Sequence, residues 1–171
     1  SDTTCGPAAE RGAGARCGVI PMRYEVTFSV PWVRGWQRAG VNFRSGEHYT
    51  RNRTSADEQQ IAFRYKCACR DQYGRQVMAP PHVPVTLIID AYSKGPKRRP
   101  KNLPTWLWPR MPFTVKPDAD NIAKLMDGLN GVAWHDDAQV VKLLVTKHDR
   151  HYVGNDGTTF TILWEEPDEE E

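Results

Sequence analysis

The stretch "KPDADNIAKLMDGLNGVAWHDD", Lys116 to Asp137, restricts the possible fold more than any other part of this chain. It holds five aspartates: Asp118 and Asp120 at its start, Asp127 in its middle, Asp136 and Asp137 at its end. Crowded carboxylates repel one another unless a cation lies between them. The intervening residues set their arrangement. Ile122, Leu125, Met126 and Leu129 recur at i, i+3, i+4, i+7, one apolar helical stripe. Asp120, Lys124 and Asp127 run along the opposite side at i, i+4, i+7, where Asp120 and Lys124 can pair. The spacing predicts a helix over about 120–130 that stops at Gly131. A helical Asp118 would point with the apolar stripe, so it is assigned to the end of an incoming strand.

Asp136 and Asp137 fall where a short return leads into the next strand. Neighbouring strand residues face opposite ways, so one of the pair is expected to join Asp118 and Asp120 while the other faces outward. Three convergent carboxylates suit Mg²⁺ or Mn²⁺, with waters and a substrate phosphate completing the shell. Lys124 can pair with a carboxylate or face the phosphate as charge develops. Acidic helix starts also occur simply because they suit the helix dipole, so spacing alone leaves a structural role open. Two other chemistries are excluded. An EF-hand loop needs an oxygen ligand two residues after Asp120 and a glycine beside it, where Ile122 and Ala123 stand. A phosphatase-type D-x-D-x-T nucleophile follows a hydrophobic strand, whereas Val115-Lys116-Pro117 precedes here and Ile122 takes the Thr position.

Around this stretch the pattern is that of one α+β domain of 171 residues, with 39% hydrophobic and 26% charged residues. Residues 1–20, rich in Ala and Gly, are read as a disordered leader, residues 21–165 as the domain, and residues 166–171 as an acidic disordered tail. "YEVTFSV" alternates as a half-buried strand does. Thr54 or Ser55 is expected to cap a helix over about 57–70. "VTLIIDAY", "FTV", "AQVVKLLVTKH" and "TTFTILWE" read as further strands, giving a mixed sheet of four to five strands with two main helices. Cys5, Cys17, Cys67 and Cys69 lack paired C-x-x-C spacing and are expected to be idle or buried thiols. No apolar run reaches membrane-spanning length, and a soluble, cytoplasmic protein with no membrane partner is expected.

The net charge of +2 conceals a basic body. "EEPDEEE" carries six of the 21 acidic residues, leaving 15 against 23 Lys and Arg. A polyanionic partner fits that balance. The basic residues gather in two loops. One holds Arg34, Arg38, Arg44, Arg51 and Arg53; the other holds Lys94, Lys97, Arg98, Arg99, Lys101 and Arg110. Such residues neutralise phosphates without reading sequence. Trp106 and Trp108 lie within the second loop, to pin it to the core or to stack on an unpaired base. His135 and His148 flank the last acidic pair and are read first as solvated polar residues.

The pattern K-P-D-x-D-N-x-x-K, then D-x-L-N-G, then D-D-x-Q-V resembles the central motif of the RusA family of Holliday-junction resolvases, known from phages and prophages. "VPWVRGWQRAGVNFRSGEHYTRNRTSADEQQ" is similar to that family's first strand, basic loop and opening helix, and "VTLIIDAYSK" to the strand before its variable loop. The likeness covers about residues 24–164. It implies that Asp118, Asp120 and Asp137 bind metal, that Lys124 is the catalytic lysine, and that Asn121 supports the site by hydrogen bonding. Asp127 and Asp136 match the motif in a supporting or structural role. The implied reaction is Mg²⁺-dependent hydrolysis of phosphodiesters in a four-way junction during DNA recombination and repair, with Mn²⁺ able to substitute, by a homodimer in a bacterial or phage-infected cell. The family's first loop often reads R-P-R, whereas here Ala39 and Gly40 follow Arg38, leaving Arg34, Arg44, Arg51 and Arg53 as candidate contacts. Two alternatives stand beside this reading: a nuclease for flaps or forks, and a non-catalytic nucleic-acid-binding protein with a structural acidic cluster.

Overall fold

The computed structural model describes residues 21–37, 40–41, 43–49, 52–94, 98–99, 101–108, 114, 116–148 and 155–166. The expected leader, residues 167–171 of the expected tail, Cys5, Cys17, Arg38, Arg51, Lys97 and Arg110 lie outside them, as does most of "FTV".

Strand β1 (Met22–Val30) buries Tyr24, Val26, Phe28 and Val30 and exposes the residues between, as its alternation predicts. A small hairpin follows, β2 (Gly40–Val41) and β3 (His48–Tyr49). Helix α1 (Asn52–Tyr73) leads through a Pro-rich turn to β4 (Val85–Tyr92). Helix α2 (Ala119–Ala123) continues as a 3-10 segment, Lys124–Leu129, and the chain closes with β5 (Val140–Lys147) and β6 (Gly157–Glu166). The last strand therefore includes Glu166, the first residue assigned to the tail.

The four-stranded sheet has the order β1-β6-β4-β5. β6 runs antiparallel to both its neighbours, and β4 pairs parallel with β5, so the sheet is mixed and β5 is one of its edges. Both helices pack on one face. There α1 buries Ile61, Tyr65 and Cys69, and the second helical segment buries Ile122, Leu125 and Leu129, over Leu87, Ile89, Phe160 and Ile162. On the other face the β1–β6 pair carries hydroxyl contacts, Thr27 with Thr161 (3.2 Å) and Ser29 with Thr159 (2.8 Å). Among the described residues no helix is long and apolar enough to cross a membrane. Cys67 and Cys69 are free thiols.

Two helix boundaries differ from the pattern-based expectation. α1 begins at Asn52 rather than near residue 57, and Thr54 is a buried member of it rather than its cap. Its buried stripe starts with Thr54 and Asp57, polar residues that hydrophobic periodicity does not register; both are satisfied by the segment at 31–37. The predicted single helix over 120–130 is five residues of α-helix followed by tighter 3-10 winding. That second part passes α1 closely: a Cβ on Gly128 would stand 2.7 Å from the Glu58 carbonyl oxygen. Gly131, at φ 70°, ends the segment as expected.

Candidate active site

The segment after β1 braces the start of α2. Trp32 donates from Nε1 to Gln60 Oε1 (2.7 Å), and Arg34 pairs with the buried Asp57 (2.5 Å) while lying over the Trp32 ring. Gly35 lets this segment approach the helix. A Cβ there would meet Pro117 Cβ at 2.8 Å and Asn121 Cβ at 3.1 Å, and both are rigidly placed. Trp36 then donates its backbone N–H to the Asn121 carbonyl (2.8 Å), which ties this segment to the start of α2.

On this braced end lie Asp118 and Asp120. Asp118 is the N-cap of α2 with extended backbone, not the end of a strand. Its carbonyl accepts from the N–H groups of Asn121 and Ile122 (both 3.1 Å), and its carboxylate takes no part in the cap. Asp120, one residue into the helix, accepts from Lys124 Nζ at 3.3 Å, the i, i+4 pair its spacing predicts. The same ammonium lies 5.6 Å from the Trp36 ring centre. Asp118, Asp120 and Lys124 are all exposed. The arrangement is an open lip where carboxylate oxygens and a cation face solvent together.

The second acidic group forms at the other end of the helical segment. Asp136 and Asp137 are not on a strand; they open a 3-10 turn, Asp137–Gln139. Asp136 is its cap, its side chain accepting from Ala138 N (2.8 Å). Asp137 accepts from Nε1 of the fully buried Trp134 at 3.2 Å. Asp127 faces this group, and burial together with the charge of Asp137 pushes its carboxyl above the ordinary range. Burial, with Asp127 and Asp57 adding to it, does the same to Glu58 on α1, a residue that spacing arguments overlooked.

Gln139 holds this turn in place. Its side-chain oxygen accepts from the N–H groups of His135 (2.9 Å) and Asp136 (3.2 Å), and its amide nitrogen donates to the carbonyls of Pro80 (2.7 Å) and Val83 (3.1 Å). Every polar atom of this buried amide is used. Gln139→Leu would leave these backbone groups without their side-chain partner, at a cost of about 3 kcal/mol. The melting temperature is expected to fall by roughly 6–12 °C in a calorimetric scan. An unchanged melting point would show that the turn does not depend on this amide.

The expected convergence of Asp118, Asp120 and Asp137 is therefore not observed. Asp127, which marks the Asp137 end, is seven residues beyond Asp120, about 12 Å along the mixed α and 3-10 axis. Among the described residues, no three His, Cys, Asp or Glu side chains group closely enough to hold one metal ion. The strand-alternation argument failed because the adjacent pair is coiled into a capped turn.

Sequence reasoning also passed over Lys147. It is the last residue of β5, in register with the buried Ala91 of β4, and half-buried on the face that α2 covers. Burial lowers its basicity, and the charge of Asp118 acts in the opposite sense. Its neighbour His148 turns to the other face, pairing with Asp90 (2.6 Å) and stacking on Tyr92. His135 is exposed beside the capped turn.

The described basic-loop residues are unequally engaged. Arg34 is committed to Asp57. Lys94 donates from Nζ to Asn155 (3.2 Å) and Arg99 to the Leu103 carbonyl, while Arg44, Arg53, Arg98 and Lys101 are exposed. Trp106 is 71% exposed and does not pin its loop to the core; Trp108 is half-buried.

The comparison with known proteins agrees with the motif and the geometry. The family model described as "Endodeoxyribonuclease RusA" matches residues 31–162, from the bracing segment through most of β6. Among curated proteins no match is found. A match over that span, enclosing both acidic groups and every element that positions them, shows that the chain belongs to the RusA family of endodeoxyribonucleases.

Proposed function

We propose that this protein is a homodimeric, divalent-metal-dependent endonuclease that resolves four-way DNA junctions by paired nicks, in the cytoplasm of a bacterial or phage-infected cell. The observation that carries this reading is the braced lip of Asp118, Asp120 and Lys124 in a chain of an endodeoxyribonuclease family. Two exposed carboxylates with room for waters and a phosphate match the sparse protein coordination that Mg²⁺ favours. Asp118 and Asp120 would hold such an ion, which supplies Lewis-acid polarisation of a phosphate oxygen and a more acidic water. The protein's own residues do the rest. Lys124, guided by Asp120 and the Trp36 ring, directs positive charge toward the phosphate as negative charge builds on it. The segment 31–37 fixes the helix start, so the carboxylates need little reordering when DNA arrives.

Asp137 enters this reading through a second copy of the chain. Among the described residues it does not group with Asp118 and Asp120 of its own subunit into a metal-holding cluster, and an isologous dimer can bring it across. Edge strand β5 runs between the two acidic groups and exposes Val141 and Leu143 on the helix-covered face and Leu144 on the other, apolar side chains along an edge suited to such a contact. Two identical sites related by a two-fold axis also suit a junction that has the same symmetry and needs two matched cuts.

The test offers the protein a labelled four-way junction, a forked duplex and a linear duplex in Mg²⁺. Paired symmetric nicks in the junction alone are expected. Equal cutting of the fork would make it a general branched-DNA nuclease. Binding without cutting, in Mg²⁺ or Mn²⁺, would overturn the catalytic reading.

A further inference from the structure

We propose that Trp106 recognises the branch point of the DNA, stacking its indole on a base that a four-way junction leaves unstacked and a linear duplex does not. This rests on the functional reading above and names how the same protein selects its substrate. Trp106 is 71% exposed, although tryptophan is a side chain that folds usually bury. The turn that carries it is nonetheless closed by hydrogen bonds. The Pro104 carbonyl accepts from the N–H groups of Leu107 (3.1 Å) and Trp108 (3.2 Å), and the Arg99 guanidinium donates to the Leu103 carbonyl. On this turn Leu103, Leu107 and Trp108 are half-buried, whereas Trp106 is left outside. Its exposure is a product of local winding that keeps its apolar neighbours partly covered.

The charge around the turn fits a polyanion. Residues 93–115, the connection to which it belongs, hold six Lys or Arg and no Asp or Glu. Arg98, Arg99 and Lys101, just before the turn, are exposed. Such cations attract any phosphate backbone and cannot tell a branched DNA from a linear one. An aromatic face can, because bases offer their own π-faces only where stacking is interrupted, as it is when the arms of a junction are held open. Chain connectivity ties this turn to the nuclease lip. The connection leaves β4 at Tyr92 and ends at Pro117 and Asp118, the cap of α2. Its first foot is held by Asp156, whose carboxylate accepts from the Lys94 N–H (2.7 Å), and its second by Pro117, packed close to Gly35. Twelve residues separate Trp106 from Asp118. Even fully extended they span about 40 Å, roughly twelve base pairs of duplex, so one junction can engage both.

The test titrates the full-length protein onto a labelled four-way junction and a linear duplex in EDTA, so that binding is read alone. Trp106→Ala is expected to weaken junction binding about tenfold or more and to leave duplex binding within about twofold of wild type. Trp106→Phe keeps an aromatic face and is expected to hold junction affinity within about threefold. Lys101→Ala, the contrasting variant, should weaken both DNAs alike and lower the slope of log Kd against log salt by about one, whereas Trp106→Ala leaves that slope unchanged. An equal loss on both DNAs in Trp106→Ala, or no loss on the junction, would overturn the proposal. So would a wild type without preference for the junction. A shift of Trp106→Ala from dimer to monomer in sedimentation would overturn it in favour of a subunit contact. A wild type that prefers the junction but cuts nothing in Mg²⁺ or Mn²⁺ sinks the nuclease reading instead, and the affinity ratio still decides the role of Trp106.

Discussion

Asp120→Asn is expected to cut a four-way junction roughly a thousandfold more slowly than wild type while binding it within about twofold. The substitution is nearly isosteric, and the side chain it changes is exposed, with one contact of note, the 3.3 Å pair with Lys124. Exposed i, i+4 pairs of this kind contribute only about 0.3–0.5 kcal/mol, so the fold should be untouched. What changes is charge. A neutral amide is a weak ligand for a hard divalent ion, and it no longer guides the Lys124 ammonium. Cleavage in Mg²⁺, read against junction affinity in Ca²⁺ and against the melting temperature, separates these effects. Cutting at the wild-type rate would falsify the assignment of Asp120, and a melting point several degrees lower would mean that the carboxylate is structural after all.

Much of this site was legible in the sequence because it depends on helical spacing. Asp120 and Lys124 are one turn apart in any helix, and their pairing follows from i, i+4 geometry wherever the helix lies. The strands were legible for a similar reason: the alternation of β1 is an immediate consequence of one covered face. The same logic failed where a segment's pattern was polar. Thr54 and Asp57 belong to the buried stripe of α1, and only the partners Gln37 and Arg34, far back in the chain, explain how they can be buried.

The placement of Asp137 was not legible, because it turns on tertiary hydrogen bonds. Adjacent aspartates before a strand invite an alternation argument, but the Gln139 amide gathers His135, Asp136, Pro80 and Val83 and coils the pair into a capped turn. The signal for this was present in the motif, since a glutamine two residues after Asp137 is the residue type able to donate and accept at once. Its partners could not be named from spacing. Lys147 escaped notice for a related reason: its half-burial at the end of β5 depends on the helices that cover that face of the sheet, which nothing local announces.

The separation of the two acidic groups leads to the prediction with the sharpest outcomes. Asp120→Asn and Asp137→Asn are each expected to be inactive as homodimers, yet a heterodimer of one with the other should regain cutting. If each site combines Asp118 and Asp120 of one subunit with Asp137 of the other, such a heterodimer puts both lesions in one site and leaves the second intact. It should nick at about half the wild-type rate per dimer, and the nicks should no longer be paired. A heterodimer of wild type with the Asp120→Asn, Asp137→Asn double variant then places one lesion in each site and should be inactive. Sites confined to single subunits give the reverse result in both mixtures: no cutting in the first and about half in the second. Differently tagged subunits, purified as heterodimers and given a labelled junction, distinguish the two arrangements. Activity in the second mixture and none in the first would place Asp137 with Asp118 and Asp120 of its own chain, and would require the turn held by Gln139 to move toward the start of α2 before DNA is cut.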